Sequence, residues 1–372
     1  MILETEKLQE IAAKIIQVVD TDSTTSPQAN GDKVELVVVN NQLQFNVTNK
    51  VYYARVNIDN VNEENFRAVV DAKLFLNLLS KITTKTVELS TTESTLVIKA
   101  NGNYKIPQCY DKNDIVKLEE IVINNATTSF NIPSDTLLSI SNYNAKEITT
   151  GTVQVPIQKL IWVDEQGGVS FTGCACVNDF KLAQPIKLLL DLKLVKLFKL
   201  FKGGEVKFTI GYDEINGLVQ TKVKFENDEI SITAITPTDD KSLKMFPTAK
   251  IRERANTKCD YVVELNRDEV LATLNRLMLF NNARGGINKT IGALEFTKDT
   301  LTIYDAVKEN REQIKYPEIS INETYSTFID IDYLKATLDS CSEEIFTLGF
   351  GNHQCLILSR GSIKNVIQEA HK

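Results

Sequence analysis

Apolar and polar residues alternate along this chain in one short pattern that occurs six times. Each copy begins with a tight polar turn, continues with a strand whose apolar residues occupy alternate positions, and is followed by a second strand. An amphipathic helix can be drawn before each copy, and the copies recur about every 50 to 75 residues. Such a repeat of whole modules predicts an architecture built by repetition. The copies are Asn41-Gln-Leu-Gln-Phe-Asn-Val, Ser94-Thr-Leu-Val-Ile-Lys-Ala, Gly168-Val-Ser-Phe-Thr-Gly, Asp228-Glu-Ile-Ser-Ile-Thr-Ala, Asp299-Thr-Leu-Thr-Ile-Tyr-Asp and His353-Gln-Cys-Leu-Ile-Leu-Ser.

The first third of the chain contains two similar halves. One helix is predicted over 6–19 from its apolar stripe. A second is predicted over 71–82, with Asp71 as its N-cap and with Leu74, Leu78 and Leu79 on its apolar face. Three strands follow each helix; they are predicted at 33–40, 43–48 and 51–58, and at 86–91, 95–100 and 103–107.

The other two thirds repeat this order. In the middle third, Gly203 and Gly204 end a helix predicted over 190–202, and in the last third Asn266 is a good N-cap. The remaining helices are predicted at 134–143, 266–280 and 332–341. The strands are predicted near 154–163, 168–172, 179–184, 205–212, 218–225, 230–235, 291–296, 300–304, 312–316, 345–349, 354–359 and 363–369. Polar runs at 118–128 and 247–260 have the composition of linkers.

This order predicts an α+β protein of three domains, each an internal duplicate of a helix plus three antiparallel strands. The predicted domains are 1–125, 126–253 and 254–372. A chain of 372 residues is too long for one ordinary core, which agrees with several domains.

Composition indicates a soluble globular protein, with 42% hydrophobic and 24% charged residues. We expect neither a signal peptide nor a membrane partner, because the chain shows no basic start with an apolar run and no long apolar stretch. The six cysteines have no framework spacing, so we expect reduced thiols in a cytoplasmic protein. A net charge of −7 argues against nucleic-acid binding only if the charge is spread evenly.

One segment concentrates positive charge. At 100° per residue, a helix over 190–202 places Leu194, Leu197, Phe198 and Phe201 on one face and its lysines on the other; those lysines are Lys193, Lys196, Lys199 and Lys202. A flexible ammonium suits contact with DNA phosphates without base reading. The same pattern also fits a solvated helix face or a membrane-surface helix. The first helix offers fewer cations, Lys7 and Lys14.

The sixfold order resembles a bacterial-type DNA sliding clamp, the beta subunit of DNA polymerase III, at a divergence that suits a phage-encoded version. The local matches are Leu8-Gln-Glu-Ile-Ala-Ala, Asn178-Asp-Phe-Lys-Leu-Ala and Ala306-Val-Lys-Glu-Asn-Arg-Glu-Gln. The resemblance implies a three-domain clamp fold, two copies of which close head to tail around duplex DNA. It also implies a replicative DNA polymerase as partner, an ATP-dependent clamp loader acting in trans, peptide-motif partners and no cofactor.

The resemblance assigns three surfaces. The cations facing the DNA channel would be Lys193, Lys196, Lys199, Lys202, Lys73, Lys81, Arg276 and Arg284. An apolar groove between the second and third domains would bind partner peptides, lined by Ile157, Val177, Phe180, Lys181, Leu182, Pro247, Val366 and Ile367. At ring closure Tyr104 and Ile106 would pack on Leu279 and Phe280; these four also fit ordinary core positions. The ending Gln368-Glu-Ala-His-Lys372 departs from the Met/Pro-rich tail of the family.

An enzyme is poorly supported by the residues. The chain has two histidines, His353 and His371, and lacks phosphate-loop, nucleophile-elbow and zinc-protease motifs. Asp239-Asp240 is more typical of a solvated turn than of a metal site. A carbohydrate hydrolase using paired carboxylates such as Glu214 and Asp240 is the rival hypothesis, although Trp162 is the single tryptophan for sugar stacking. A repeat-built structural or virion protein is a third.

Overall fold

The structure is a computed structural model that describes residues 1–19, 30–49, 51–59, 61, 66–141, 160–170, 175–215, 218–283, 290–352 and 354–370. The first third contains helices α1 (Thr5–Ile15) and α2 (Ala72–Leu79). Its strands are β1 (Ile2–Glu4), β2 (Lys33–Val39), β3 (Gln42–Thr48), β4 (Tyr52–Ile58), β5 (Arg67–Asp71), β6 (Thr86–Thr91), β7 (Thr95–Lys99), β8 (Asn103–Pro107), β9 (Tyr110–Asp111) and β10 (Asp114–Ile115).

The middle third contains α3 (Ser134–Ser141), α4 (Leu192–Lys196), a 3-10 turn over Leu197–Leu200, α5 (Asp240–Met245) and α6 (Thr248–Ala255). Its strands are β11 (Ala126–Pro133), β12 (Leu160–Asp164), β13 (Gly167–Ser170), β14 (Ala175–Asn178), β15 (Lys187–Asp191), β16 (Glu205–Ile215), β17 (Leu218–Glu226) and β18 (Ile230–Thr236).

The last third contains α7 (Arg267–Ala283) and α8 (Ile331–Asp339). Its strands are β19 (Tyr261–Asn266), β20 (Ile291–Phe296), β21 (Thr300–Tyr304), β22 (Arg311–Lys315), β23 (Tyr325–Asp330), β24 (Ile345–Phe350), β25 (Cys355–Arg360) and β26 (Ile363–Gln368). No helix among the described residues is both long and apolar enough to cross a membrane.

Each third is built from two halves that exchange a strand. The short strand before each helix pairs with the first strand after the other helix of the same third. The exchanged antiparallel pairs are β1 with β6, β5 with β2, β11 with β16, β15 with β12, β19 with β24, and β23 with β20. The same reciprocal pairing in all three thirds supports the predicted internal duplication.

The described residues form two compact units, Met1–Leu137 with Lys193–Asp239, and Leu138–Leu192 with Asp240–Lys372. The first unit contains the sheets β1-β6-β7-β8 and β11-β16-β17-β18-β4-β3-β2-β5, and the small pair β10-β9. The second contains β15-β12-β13-β14-β26-β25-β24-β19 and β22-β21-β20-β23. The units divide the middle third between them, so the three domain boundaries stay a prediction.

Several local signals are confirmed. The Asp71 carboxylate accepts a hydrogen bond from Leu74 N at 2.6 Å, and Asn266 Oδ1 accepts one from Asp268 N at 3.0 Å. Both side chains therefore cap the helices that follow them. Gly203 and Gly204 adopt positive φ angles of 68° and 71°, which only glycine adopts at no steric cost, and the chain turns there into β16.

Other expectations are wrong. Residues 190–202 form the end of β15, α4 and a 3-10 turn instead of one helix. No strand lies at 179–184, because the strand of this hairpin is β14, four residues earlier. The linker-like run 247–260 contains α6. The buried face of α2 consists of Ala72, Phe75, Leu76 and Leu79, whereas Leu74 is 51% exposed.

The fourth copy of the repeat is out of phase with the others. Over their described residues, five copies overlap the middle strand of a three-stranded run, namely β3, β7, β13, β21 and β25. The fourth copy, at 228–234, is instead the third strand, β18. The corresponding middle strand is β17, in which Lys222, Lys224 and Glu226 alternate with Val223 and Phe225.

Candidate nucleic-acid interface

The lysine-rich segment of α4 and its 3-10 turn has one buried and one exposed face. Leu194, Leu197, Phe198 and Phe201 are at most 4% exposed, as the sequence predicted. The Phe198 ring lies 4.6 Å from that of Phe225, which stacks on Phe208 at 4.5 Å. Because these aromatic contacts fix the apolar face, the four lysines are turned outward. Lys193, Lys196, Lys199 and Lys202 are all exposed.

Register places α2 and this lysine segment on the same face of one sheet. Phe225 pairs with Ile232, which pairs with Ala54, which pairs with Val47. Directly paired residues share a face, as do residues two apart along a strand, so Phe45 lies on the face of Phe225. The Phe45 ring packs on Phe75 of α2 at 6.5 Å. Lys73 of α2 and Lys81 just after it are also exposed.

Two further cations behave differently. Arg276 on α7 is exposed, but it makes two hydrogen bonds to Glu312, Nε–Oε1 at 2.8 Å and Nη2–Oε2 at 2.5 Å. The hydrogen bond to Glu312 raises the pKa of Arg276 above its usual value, and any phosphate must compete with that carboxylate. Arg284 lies outside the described residues.

Lys14 of α1 is not available to a ligand. It is 6% exposed and forms ion pairs with Glu229 and with Glu10, the latter at 3.3 Å. Periodicity hinted at this, because Lys14 lies one turn from Ile11 on the apolar side of α1.

The opposite face of the first unit's long sheet carries a polar network. Glu35 is buried and accepts hydrogen bonds from Asn46 at 3.0 Å and from Arg67 at 2.9 Å. Arg55 pairs with Glu120 at 2.9 Å, while Lys222 pairs with Asp213 at 2.6 Å. The backbone carbonyls of Val116 and Val122 accept hydrogen bonds from Arg67 and Lys222. These contacts hold the segment after β10 against the sheet. The sheet cations Arg55, Arg67 and Lys222 therefore stabilise the fold.

The residues predicted to line a peptide groove lie in the second unit around the pairing of β14 with β26. Val177 and Val366 are buried in one cluster with Phe246 and Ile251. Ile367 belongs to the core on the other side of the sheet. Phe180, Leu182 and Pro247 are half-buried, Lys181 is exposed, and Ile157 lies outside the described residues.

The residues predicted at ring closure lie at sheet edges and on α7. Tyr104 and Ile106 are on β8, the edge strand of the four-stranded sheet of the first unit. Ile106 is buried in its own unit, whereas Tyr104 is half-buried. Leu279 and Phe280 on α7 are 68% and 47% exposed and adjacent in sequence, so they form an exposed apolar pair.

The residues named in the rival hydrolase hypothesis give it little support. Glu214 on β16 and Asp240 at the start of α5 are both exposed. Trp162 is 8% exposed and donates its Nε1–H to Asp164 at 2.7 Å, so its ring is not an exposed stacking platform. Among the described residues, no group of three or more His, Cys, Asp and Glu side chains could hold a metal ion.

Comparison with known proteins gives one consistent result. No protein-family model matches the chain, and no curated protein sequence does. Solved structures match over 100% of its length at low identity. They include DNA polymerase III subunit beta from Borrelia burgdorferi (TM-score 0.79, 14% identity, 98% of that chain), the beta subunit of DNA polymerase III from Thermotoga maritima (0.77, 12%, 99%) and the DNA polymerase sliding clamp from Bacillus subtilis (0.74, 15%, 98%). The chain therefore has the α+β fold of the DNA sliding clamps, as the sequence predicted.

Proposed function

We propose that this protein is a DNA sliding clamp, a non-enzymatic processivity factor of which two copies close head to tail around duplex DNA. The observation that carries the proposal is the way the thirds are joined. β4 and β14 are each the last of the three strands in the first half of their third of the chain. Each pairs with the last strand in the second half of the following third: β4 pairs with β18, and β14 pairs with β26.

The same rule leaves two strands without such a partner. They are β22, the third strand of the first half in the last third, and β8, the third strand of the second half in the first third; both are edge strands of their sheets. Pairing β22 of one copy with β8 of another would continue the rule and give a closed ring. In such a ring neither β22 nor β8 would remain an edge strand, which would protect both from other pairings.

Exposed apolar residues support the same contact. Leu279 and Phe280 are on α7, the helix that Arg276 joins to β22 through Glu312. They would pack against Tyr104 and its surroundings on the second copy. Ile106 is buried in its own unit, so we propose that it supports the interface from beneath.

DNA would be held by phosphate contacts. Lys193, Lys196, Lys199 and Lys202 are exposed in a chain of net charge −7 and share a sheet face with Lys73 and Lys81. Contacts of this kind are independent of base sequence and sensitive to salt, which suits a ring that slides. We further propose a cytoplasmic protein of three domains that is loaded by an ATP-dependent loader and that binds a polymerase peptide in the groove around Val177, Pro247 and Val366.

Size-exclusion chromatography with small-angle X-ray scattering tests the ring. We expect a mass near twice 41.7 kDa and a hollow pair-distance distribution. Retention on DNA tests function: the loaded protein should stay on a nicked circle and leave when the circle is cut. A compact monomer that is never retained on circular DNA would contradict the proposal.

A further inference from the structure

The two edge strands β8 and β22 carry positive charge on the face that points away from the core. On β8, Ile106 is buried in the core of its own unit, so its neighbour Lys105 points to the opposite face. On β22, Ile314 belongs to the core cluster, so Arg311 and Lys315 point away from that core. Lys105, Arg311 and Lys315 are all exposed, and they are called the edge cations below.

The edge cations are not neutralised within their own sheets. Each lies directly opposite an uncharged residue: Lys105 opposite Val97, Arg311 opposite Tyr304, and Lys315 opposite Thr300. None of the three forms an ion pair with another described residue. Their charge therefore remains available to whatever approaches the two edges.

The carboxylates around these strands have other partners or lie beyond the strand ends. The ion pairs are Glu312 with Arg276 at 2.5 Å, Glu88 with Lys99 at 2.7 Å, and Glu295 with Lys308 at 3.3 Å. Glu309 lies in the turn before β22, and Asp299 lies beside Tyr316, just after that strand. The face of β22 that carries Arg311 and Lys315 is therefore positive along the strand itself.

Ring closure would bring the edge cations of two copies together. This inference rests on the pairing of β22 with β8 under the proposed function. The thirds of one chain pair antiparallel, and full antiparallel overlap of the two five-residue strands sets Lys105 opposite Gln313. Arg311 and Lys315 of the other copy then lie diagonal to Lys105, at about 7–8 Å. A shift by two residues, which keeps core residues on the core face, sets Lys105 directly opposite one of them.

The junctions within one chain do not set cations against each other. At the pairing of β4 with β18, Arg55 lies opposite Ser231 and pairs with Glu120 at 2.9 Å. At the pairing of β14 with β26, Lys364 lies opposite Val177. Like charge is therefore a property of the contact between copies and not of the junctions between thirds.

We propose that like charge between the edge cations opposes ring closure, and that ionic strength therefore regulates it. Repulsion across an interface weakens association. At 0.15 M ionic strength the Debye length is about 8 Å, comparable with the separations above, so added salt screens the repulsion and tightens the ring. The exposed apolar pair Leu279 and Phe280 supplies attraction at the same contact. Phosphate contacts of the lysine segment respond in the opposite sense, because salt weakens them. The contact between copies is then the joint at which the ring opens.

Sedimentation velocity over a dilution series of the full-length protein tests the proposal, with the dimer Kd as its readout. The two conditions are about 25 mM and about 300 mM NaCl, between which the Debye length falls from about 20 Å to about 6 Å. Lys105→Glu replaces two repulsions at each of the two contacts of the ring by attractions. We expect its Kd at the lower salt to be at least about fivefold below that of the wild type. The difference should be smaller at the higher salt, because both effects are screened.

Matched variants separate the edge cations from the charge of the whole chain. A net charge of −7 also repels two copies, so salt alone is not diagnostic. Lys187→Glu makes the same change in net charge at an exposed position on β15 and should not lower Kd. Gln313 tests the proposed face with both signs, because Gln313→Glu should lower Kd and Gln313→Lys should raise it.

The outcomes distinguish this inference from the ring itself. A dimer that Lys105→Glu loosens or leaves unchanged would overturn the inference and leave the ring standing. An equal fall of Kd in Lys187→Glu would do the same. A monomer at both salt concentrations, in the wild type and in Lys105→Glu, would instead contradict ring closure.

Discussion

The ammonium of Lys14 on α1 is buried against the carboxylate of Glu229, the residue that immediately precedes β18. The same Glu229 accepts a hydrogen bond from Asn57 N at 2.9 Å through its backbone carbonyl. The side chain and the backbone of one residue therefore both hold the point where the first and middle thirds pair.

Removing the carboxylate should destabilise the first unit. Glu229→Gln leaves a buried ammonium with only Glu10 as partner, so we expect a loss of about 1–2 kcal/mol in the free energy of unfolding. Lys14→Met should cost less, because it removes the buried charge and keeps the volume. Urea denaturation followed by circular dichroism measures both. Lys7→Met, at an exposed position of the same helix, is the control; if it costs as much as Glu229→Gln, the ion pair has no special role.

Reversing the lysine face should impair DNA function and leave the fold intact. In Lys193→Glu/Lys196→Glu/Lys199→Glu, the buried Leu194, Leu197 and Phe198 are unchanged, so thermal unfolding should stay close to that of the wild type. Polymerase processivity and retention on circular DNA should fall strongly. The slope of log affinity against log salt should decrease by about 2–3, at about 0.9 per lost phosphate contact. Undiminished processivity would show that the DNA path lies elsewhere.

Shortening the exposed apolar pair on α7 should weaken self-association. Leu279→Ala/Phe280→Ala removes two large side chains from the proposed contact, and we expect the dimer Kd to rise by at least about tenfold. Sedimentation velocity over a dilution series measures it. Leu74→Ala removes another exposed leucine, 51% exposed on α2, and should leave the mass unchanged. Equal dissociation of both variants would contradict the assignment.

Asp164 should make the second unit acid-sensitive. Burial raises the pKa of this carboxyl, but hydrogen bonds from Arg252 and Trp162 outweigh burial and leave the pKa below its usual value. A depressed folded-state pKa contributes stability that is present above the unfolded pKa, near 3.9, and is lost as pH falls through the folded pKa. We expect Asp164→Asn to lower the free energy of unfolding by about 2–4 kcal/mol at pH 7. On acidification, the free energy of unfolding of this variant should fall less than that of the wild type.

The fluorescence of Trp162 is a direct readout of this effect, because Trp162 is the single tryptophan and donates to the Asp164 carboxylate. Urea midpoints followed by this signal should stay apart from pH 7 down to about pH 4 and should approach each other at lower pH for wild type and Asp164→Asn, as pH falls through the folded pKa. Parallel curves with no convergence would show that Asp164 does not titrate in this range.

Strands with a clean alternation and helices with a side-chain cap could be predicted from sequence. The helix starts at Asp71 and Asn266 are examples, because the capping atom is encoded locally. The strands before the helices could not be predicted in the same way. β1 spans only Ile2–Glu4, and its partner β6 lies more than 80 residues later. A three-residue run has too few positions to show a period.

Burial that depends on distant partners was also missed. Leu74 and Phe75 are equally apolar in sequence, but only Phe75 faces Phe45 across the core. In the sequence, Lys14 counts among the cations of the first helix. Its ion pair is not visible there, because its counter-charge, Glu229, lies 215 positions away. In the candidate interface, the exposed face of α4 followed from periodicity, whereas the neutralisation of Arg276 by Glu312 required the tertiary structure.

The exchange of strands between the two halves of each third has a consequence for synthesis of the chain. β1 cannot complete its ladder until residues 86–91 have left the ribosome, and β11 waits in the same way for β16. Neither half therefore forms a finished sheet alone, and each third matures only when its second helix and the following strand have emerged. Long-range pairing of this kind slows folding and exposes unpaired strands in the meantime. A ribosome that pauses within a third would carry an aggregation-prone intermediate with unpaired strands. One that pauses after β8 or β18 would carry a chain in which the exchanged strand pair has formed.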